Sequence, residues 1–283
     1  MSIHYPLQQP VNVAPGAIAT LTIPTGQSQT LTGILLALSG TTFTKAHIDK
    51  IKVKIGPRLI WDLTIDQLNK INNYKGNADG AGFLYLDFVE RDQAVFPVKE
   101  IGGIDMLAAM AIGNVIVEIT LLATAVAPKI DATGFFEPSQ GNPFVLKYLN
   151  YPASTAVAGK FTLPLSFRGA LLKRTWHFYT GTNFTGTANG NLSRTEVKKN
   201  GAVIYDQTCL AARFIQVQNK KTPQAQAFIV DYIVDNNHDA QQTTISKSAG
   251  GAQVFDSFEI NAYLTAADSI QSVVEAIDVI NNL

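Results

Sequence analysis

The residues with the means to do chemistry in this chain are four histidines, one cysteine and a handful of aspartates. His4, His47, His177 and His238 stand far apart, and no two share the spacing of metal ligands on one element. Cys209 is alone, so no intrachain disulfide forms and a multi-thiolate metal site is excluded. Asp87 and Asp231 each sit mid-strand among bulky apolar residues, in FLYLDFVE and AFIVDYIV. Such surroundings raise a carboxyl pKa and suit acid–base work. Their occurrence at matching places in two similar segments favours a shared structural role instead, as paired or backbone-bonded carboxylates. Asp62 and Asp206 lie two residues before Thr64 and Thr208, where a turn or helix-dipole role is expected. Asp235, Asn236, Asn237 and Asp239 offer oxygens to a hard cation such as calcium, but without the spacing of a calcium loop, and they read as a solvated turn. No G-x-S-x-G elbow, phosphate-binding G-x-x-x-x-G-K-[ST] loop or H-E-x-x-H helix occurs. Ser39-Gly40 and Ser248 to Gly251 are small-residue turns. The expectation is a protein with no catalytic, cofactor-binding or metal site, and not an enzyme.

The elements that hold these residues occur twice. KVKIGPRLIWD (Lys52 to Asp62) aligns without a gap on EVKKNGAVIYD (Glu196 to Asp206), with Val53 on Val197 and an offset of 144. The offset continues through Thr64 and Thr208, through Ile65, Leu68 and Ile71 on Cys209, Ala212 and Ile215, and on to Asp87 and Asp231. Cys209 is therefore read as a buried small hydrophobe rather than a nucleophile. Two looser matches extend the repeat: TLTIP (Thr20 to Pro24) on KFTLP (Lys160 to Pro164), and VIVEIT (Val115 to Thr120) on SVVEAI (Ser272 to Ile277), which places Glu118 on Glu275.

Each copy reads as short strands around one helix. Ile51 to Ile55 alternates apolar and charged residues, the period of a half-buried strand. Gly56-Pro57 and Asn200-Gly201 supply hairpin turns. Thr64 caps a helix, with Gln67 completing a capping box, and Gly76 ends it. The expected fold class is all-β with short helical insertions: two tandem jelly-roll domains, each an eight-stranded antiparallel sandwich. The expected domains are 1–130 and 143–283, joined by a linker over 131–142, which is rich in Gly and Pro. Gly181 to Gly190, inserted in the second copy, reads as a surface loop.

Composition narrows the function. At 283 residues, 46% hydrophobic, the chain has apolar material for two cores. It is 16% charged against roughly 25% in ordinary soluble proteins, as expected of a surface covered by neighbouring subunits. Lys plus Arg equals Asp plus Glu, so there is no cationic excess to release counterions from a genome, and direct genome binding is not expected. The start, MSIHYPLQQPVNV, lacks the pattern of a secretory signal, so the sequons at Asn183 and Asn191 read as chance matches. Met106 to Ala127 carries Glu118 as its one formal charge, but Gly113-Asn114 interrupts it. It reads as a short helix, a turn and a buried strand rather than a membrane span.

An ordered set of landmarks adds to this. NVAPG (Asn12 to Gly16), IPTGQ (Ile23 to Gln27), Ser39-Gly40, IDKIKVKI (Ile48 to Ile55) with Arg58-Leu59, FVER (Phe88 to Arg91) and AAMAIGNVIVEITLLATAVAPKIDA (Ala108 to Ala132) resemble the major capsid protein of corticovirus-type phages. The likeness covers most of residues 11–132. It is looser in the second copy, at Lys198 to Asp206 and Ile260 to Ile280, and departs at Arg91 to Lys99 and Gly181 to Gly190. The resemblance implies the double jelly-roll lineage of tectivirus coats and adenovirus hexon. It also implies homotrimers of pseudo-hexagonal outline, tiling an icosahedral shell over an internal lipid membrane. Implied partners are the chain itself, a penton protein at the vertices, and membrane proteins or lipid touched peripherally; the implied location is the virion, with host cytoplasm before assembly. It implies no catalytic residues and no cofactor. The alternative class is a tandem β-sandwich that binds carbohydrate or adheres, which calls for exposed aromatic platforms, whereas Trp61 and Trp176 lie within strand patterns. A double β-sandwich hydrolase calls for a convergent carboxylate or histidine set.

Overall fold

Alternation decides the first elements. In Ile48–Ile55 the side chains of Ile51, Val53 and Ile55 are fully buried, while Lys50, Lys52 and Lys54 stay partly exposed. One face of the strand enters a core and the other meets solvent. The computed structural model describes residues 3–91, 100–155, 157–163, 165, 170–182, 184, 189–248 and 250–280. Asn183 and Thr185 of the first sequon, 92–99 of the Arg91 to Lys99 segment, Ala249 of the Ser248 to Gly251 turn and the His238 side chain fall outside them.

The first half contains β1 (Ile3–Pro6), β2 (Ile18–Ile23), β3 (Gln29–Ser39), β4 (Ile48–Ile55), β5 (Arg58–Thr64), helix α1 (Ile65–Tyr74), β6 (Phe83–Asp87), β7 (Ile104–Asp105), the short helix α2 (Met106–Ala109), β8 (Val115–Leu121) and β9 (Lys129–Pro138). The second contains β10 (Phe144–Thr155), β11 (Gly159–Leu163), β12 (Leu171–Tyr179), β13 (Leu192–Lys199), β14 (Ala202–Thr208), helix α3 (Cys209–Gln218), β15 (Ala227–Asp231), β16 (Gln242–Thr243), β17 (Ile245–Lys247), β18 (Gln253–Phe255), β19 (Phe258–Leu264) and β20 (Asp268–Val279). The chain divides into two compact units. The first holds residues up to Asn72, Asn77–Tyr148 and the end from Ile277; the second holds Asn73–Gly76 and Leu149–Ala276.

Each unit is a sandwich of two four-stranded sheets. In the first, β1-β9-β3-β6 is one sheet, with β7 paired on β3, and β5-β4-β8-β2 is the other. In the second, the orders are β10-β20-β12-β15, with β16 paired on β12, and β14-β13-β19-β11. Helices occupy strand-to-strand connections, and the result is one jelly roll per unit.

The repeat holds element by element. Adding 144 to the bounds of β4, β5, α1 and β6 gives the bounds of β13, β14, α3 and β15. The irregularities follow as well. The register of the hairpin slips between Val53 and Lys54, and again between Val197 and Lys198. Asn72 Nδ2 donates to the Tyr85 carbonyl at 2.8 Å, and Gln216 Nε2 donates to that of Ile229 at 2.9 Å. The second hairpin turns on Asn200 and Gly201 with φ of 50° and 80°, the left-handed pair that a two-residue turn demands. Gln67 N–H donates to Thr64 Oγ1 at 3.2 Å and Thr64 N–H to Gln67 Oε1 at 3.0 Å, so the capping box is complete; Thr208 caps α3 through Ala211 N–H alone.

Two expectations need correction. VIVEIT and SVVEAI are not equivalent: β8 lies beside β4 with Val117 opposite Val53, and the strand so placed beside β13 is β19, with Ile260 opposite Val197. Both segments alternate apolar residues, and alternation alone does not identify a strand's place. The stretch 131–142 is also not a linker throughout, because β9 runs to Pro138, pairs with β3 and β1, and buries Ile130, Ala132 and Phe136 on one face. Its Gly and Pro obscure that period. Met106 to Ala127 forms α2, a turn and the buried strand β8, and no helix among the described residues is long and apolar enough to cross a membrane.

Replacing Thr64 with alanine leaves the Gln67 amide without its cap and should lower the unfolding free energy by about 1 kcal/mol. Equilibrium denaturation measures this, and an unchanged midpoint would show that the cap contributes nothing.

Candidate functional site

Strand β12 reads LLKRTWHFY, and every residue after Leu171 is buried, the charged ones included. A charge so placed must be paired. Arg174 Nε lies 2.9 Å from Asp231 Oδ2 on the adjacent strand β15, and Arg174 Nη1 donates to Glu275 Oε1 at 3.0 Å. Glu275 Oε1 also lies 2.8 Å from Lys75 Nζ and 3.8 Å from Lys173 Nζ, while Oε2 accepts from the Trp176 indole at 2.9 Å. The Tyr74 hydroxyl donates to Asp231 Oδ2 at 2.9 Å, and its ring meets Trp176 edge-on. Burial, then the Asp231 charge, raises the Tyr74 phenol well above its ordinary value. All of these groups belong to the second unit. The cluster is almost wholly buried, and each of its three cations lies against one of its two carboxylates, so it holds strands together and admits no substrate.

Asp87, the counterpart of Asp231, is also buried. It accepts from Asn77 Nδ2 and lies 3.3 Å from Arg91 Nε. Both aspartates accept from the backbone N–H two residues on, Val89 and Ile233. They are paired, backbone-bonded carboxylates, as their repetition suggested. Asp62 and Asp206 differ from expectation. They face Lys50 and Arg194 across their hairpins, in equivalent ion pairs, rather than serving a turn or a helix dipole. The residues directly opposite are Lys52 and Glu196, and each aspartate reaches diagonally to the basic residue two positions along the neighbouring strand. Arg194's hydrogen bond holds the Asp206 carboxyl below its ordinary value.

The remaining candidates are dispersed. His4 is exposed beside Phe135, and His47 Nδ1 accepts from Thr44 N–H. His177 is buried between the Ser272 and Thr175 hydroxyls, and burial pushes its pKa from 6.5 down to about 3. Cys209 is fully buried at the start of α3, and burial pushes its thiol up to about 12, partly offset by Arg213. Asp235 and Asn237 accept from backbone N–H groups two residues ahead, and Asn236 from Lys221, so the run is a bonded turn. Among the described residues no group of three or more His, Cys, Asp or Glu is placed to hold a metal ion. Trp61 and Trp176 are buried, which removes both as aromatic platforms.

Gly181 to Gly190 is not wholly a surface loop. Thr182 is buried, and Phe184 packs on Tyr179 and Phe228 in the core. Asp268 anchors its start, accepting from Gly181 N–H, the Thr182 hydroxyl and Asn191 Nδ2. In the second sequon, Ser193 Oγ is spent on the Tyr263 carbonyl. The Lys173–Arg174 pair and the part played by Lys75 escaped sequence reasoning. The visible signal was two adjacent cations inside an otherwise apolar strand.

Two jelly rolls in one chain define a double jelly-roll protein. The family model of the viral coat protein P2 N-terminal domain matches residues 4–137, and that of the P2 C-terminal domain matches residues 145–280. The chain belongs to the P2 viral coat protein family, structural proteins of the virion capsid that are not enzymes. The major capsid protein P2 of bacteriophage PM2 has a similar structure, with a TM-score of 0.79 at 17% identity, covering 99% of this chain and 98% of that one. The major capsid protein of Sulfolobus turreted icosahedral virus gives 0.68 at 13%, covering 99% and 97%, and PBCV-1 VP54 gives 0.63 at 10%, covering 98% and 93%. No curated protein matches the sequence. Proteins of this fold assemble into capsid lattices, so self-association is part of the function.

Two measurements follow from these environments. The Cys209 thiol should react with a labelling reagent only after unfolding, and rapid labelling of the native protein would contradict its burial. Unfolded His177 titrates near 6.5 and folded His177 near 3, so between those values only the unfolded chain takes up its proton. Stability is therefore lost as pH falls through this window. His177→Gln should flatten the stability profile there, and an equally steep profile would show that the histidine does not contribute.

Proposed function

We propose that the chain is the shell-forming major capsid protein of a tailless icosahedral phage with an internal lipid membrane, and that its working form is a homotrimer. The observation that carries this is the duplication, held through hairpin, helix and strand at a constant offset of 144. Three copies of a two-barrel chain present six near-equivalent barrels, an outline that tiles a hexagonal lattice. Penton protein fills the vertices. The balanced charge of 22 cationic and 22 anionic side chains supports a coat kept apart from its genome by lipid. Contact with that lipid or its proteins is peripheral, and the chain resides in host cytoplasm before assembly. Exposed apolar side chains, among them Val11, Ile18, Leu107, Met110 and Val126, suit a surface that neighbours cover.

A trimer of this kind should bury roughly 2,000 Å² or more at its seams. Light scattering coupled to size-exclusion chromatography should give three times 30.6 kDa. A stable monomer that binds a glycan array would overturn the reading in favour of the adhesive alternative.

A further inference from the structure

The repeat lets each unit serve as the other's reference. In the first unit β5 is covered: Tyr148 pairs with Trp61 in parallel, and the Trp61 indole donates to the Leu146 carbonyl at 2.9 Å. Tyr148 and Phe88 pack on the indole with ring centroids 4.9 and 4.7 Å away. Ile60 and Trp61 are each 1% exposed in consequence. In the second unit the equivalent strand, β14, ends its sheet. Val203 is 53% and Ile204 38% exposed, although their sequence is as apolar as that of β5. Beside them lies an open groove of about 280 Å³, lined by Ile204, Tyr205, Ala212, Ile215, Gln216 and Tyr232. Tyr205 and Tyr232 stand where the first unit has Trp61 and Phe88. Two polar atoms here, Tyr232 Oη and Gln216 Oε1, are buried without a hydrogen-bond partner. An apolar edge with unspent hydrogen-bonding groups is a template for an added strand.

We propose that the outer edge of β14 and its groove receive the N-terminal end of β1 from a second copy of this chain. This rests on the assembly reading above and names the seam that reading requires. The cover of β5 is the beginning of β10, and from Leu149 onward β10 is the outer strand of the second unit's β10-β20-β12-β15 sheet. Its counterpart in the first unit is β1, the outer strand of β1-β9-β3-β6. Among the described residues no strand of the same chain lies on the outer edge of β14. The counterpart cover is supplied by another copy. A contact from one copy's β14 to the next copy's β1 is heterologous, and such contacts close into rings when the rotation allows.

The test uses the full-length protein in two arms. A photo-crosslinking p-benzoylphenylalanine replaces Val203 in an equimolar mixture of light and isotope-labelled chains. Cross-links should join light to heavy and connect position 203 with the peptide that contains Ile3–Pro6. In the second arm, Ile204→Lys places a charge in the groove, and the scattering mass should fall from three times 30.6 kDa to 30.6 kDa while circular dichroism stays native. If the wild-type protein is trimeric but Ile204→Lys stays trimeric, or the cross-links run within one chain or to another region, this seam is wrong and the assembly reading stands. A monomeric wild-type protein sinks both. Should the lysine variant fail to fold, the cross-link, made in an otherwise unaltered chain, decides.

Discussion

A carboxylate at the end of a buried strand has to be neutralised where it stands, because moving an unpaired charge out of water costs several kcal/mol after all relaxation. Asp87 and Asp231 impose that condition at equivalent points of the two units, and each unit is arranged around meeting it. Both spend one oxygen on the backbone two residues ahead, which fixes the exit from the strand. The cation comes from different places. Asp231 takes Arg174 from the strand beside it, directly across the ladder. The residue across from Asp87 is Gly33, and a Cβ there would stand 1.8 Å from the Tyr85 hydroxyl. Tyr85 occupies the space, Arg91 stacks over its ring at 3.9 Å, and the guanidinium reaches Asp87 from four residues along the chain. Duplication kept the requirement and changed the answer.

The change has consequences in the second unit. Bringing Arg174 inside adds a positive charge that one aspartate shares with Glu275, and Glu275 in turn draws in Lys75, Lys173 and the Trp176 indole. Removing any one member strands the others without a partner in a region of low dielectric. Such networks add little net stability over well-packed apolar side chains, but they tolerate few alternative arrangements. The first unit meets its requirement at the half-exposed Arg91.

How much of this was legible in sequence depends on whether the signal was local. The hairpin, helix and following strand have short connections without insertions, so the offset of 144 passed unbroken from Ile48 to Asp87 and the elements could be read directly. The cap at Thr64 and the turn at Asn200-Gly201 follow from neighbours a few residues away, and the burial of Cys209 follows from its alignment with Ile65 in that unbroken stretch. The pairing of Arg174 with Glu275 joins residues 101 apart, and nothing local to either names the other. The ion pairs at Asp62 and Asp206 were obscured because proximity to a capping threonine suggested a nearer role than the cross-strand one they have. Phe184 was hidden by the polar residues around it, although one aromatic in a loop is enough to anchor that loop to a core. Strand β9 was missed for the opposite reason, since its Gly and Pro looked like punctuation while its alternation was intact.

The contrast between β5 and β14 shows what the sequence pattern carries and what it leaves to context. By hydrophobicity the two strands are interchangeable, Leu-Ile-Trp against Val-Ile-Tyr, and a periodicity argument assigns both to a core. Only the second is exposed along nearly its whole length, on both faces. A solitary soluble protein would be expected to blunt such an edge with lysine, proline or a short strand. Strand β14 itself carries no basic residue or proline, and Val203 and Ile204 are exposed although Lys198 of β13 stands opposite Val203. Apolar side chains retained on an open edge, in a chain that is otherwise sparing with charge, fit a surface that is exposed only until the subunit finds its neighbours. The duplication thus yields two barrels with the same wiring and different edges. That asymmetry is what a subunit needs when one of its barrels is capped within the chain and the other by assembly.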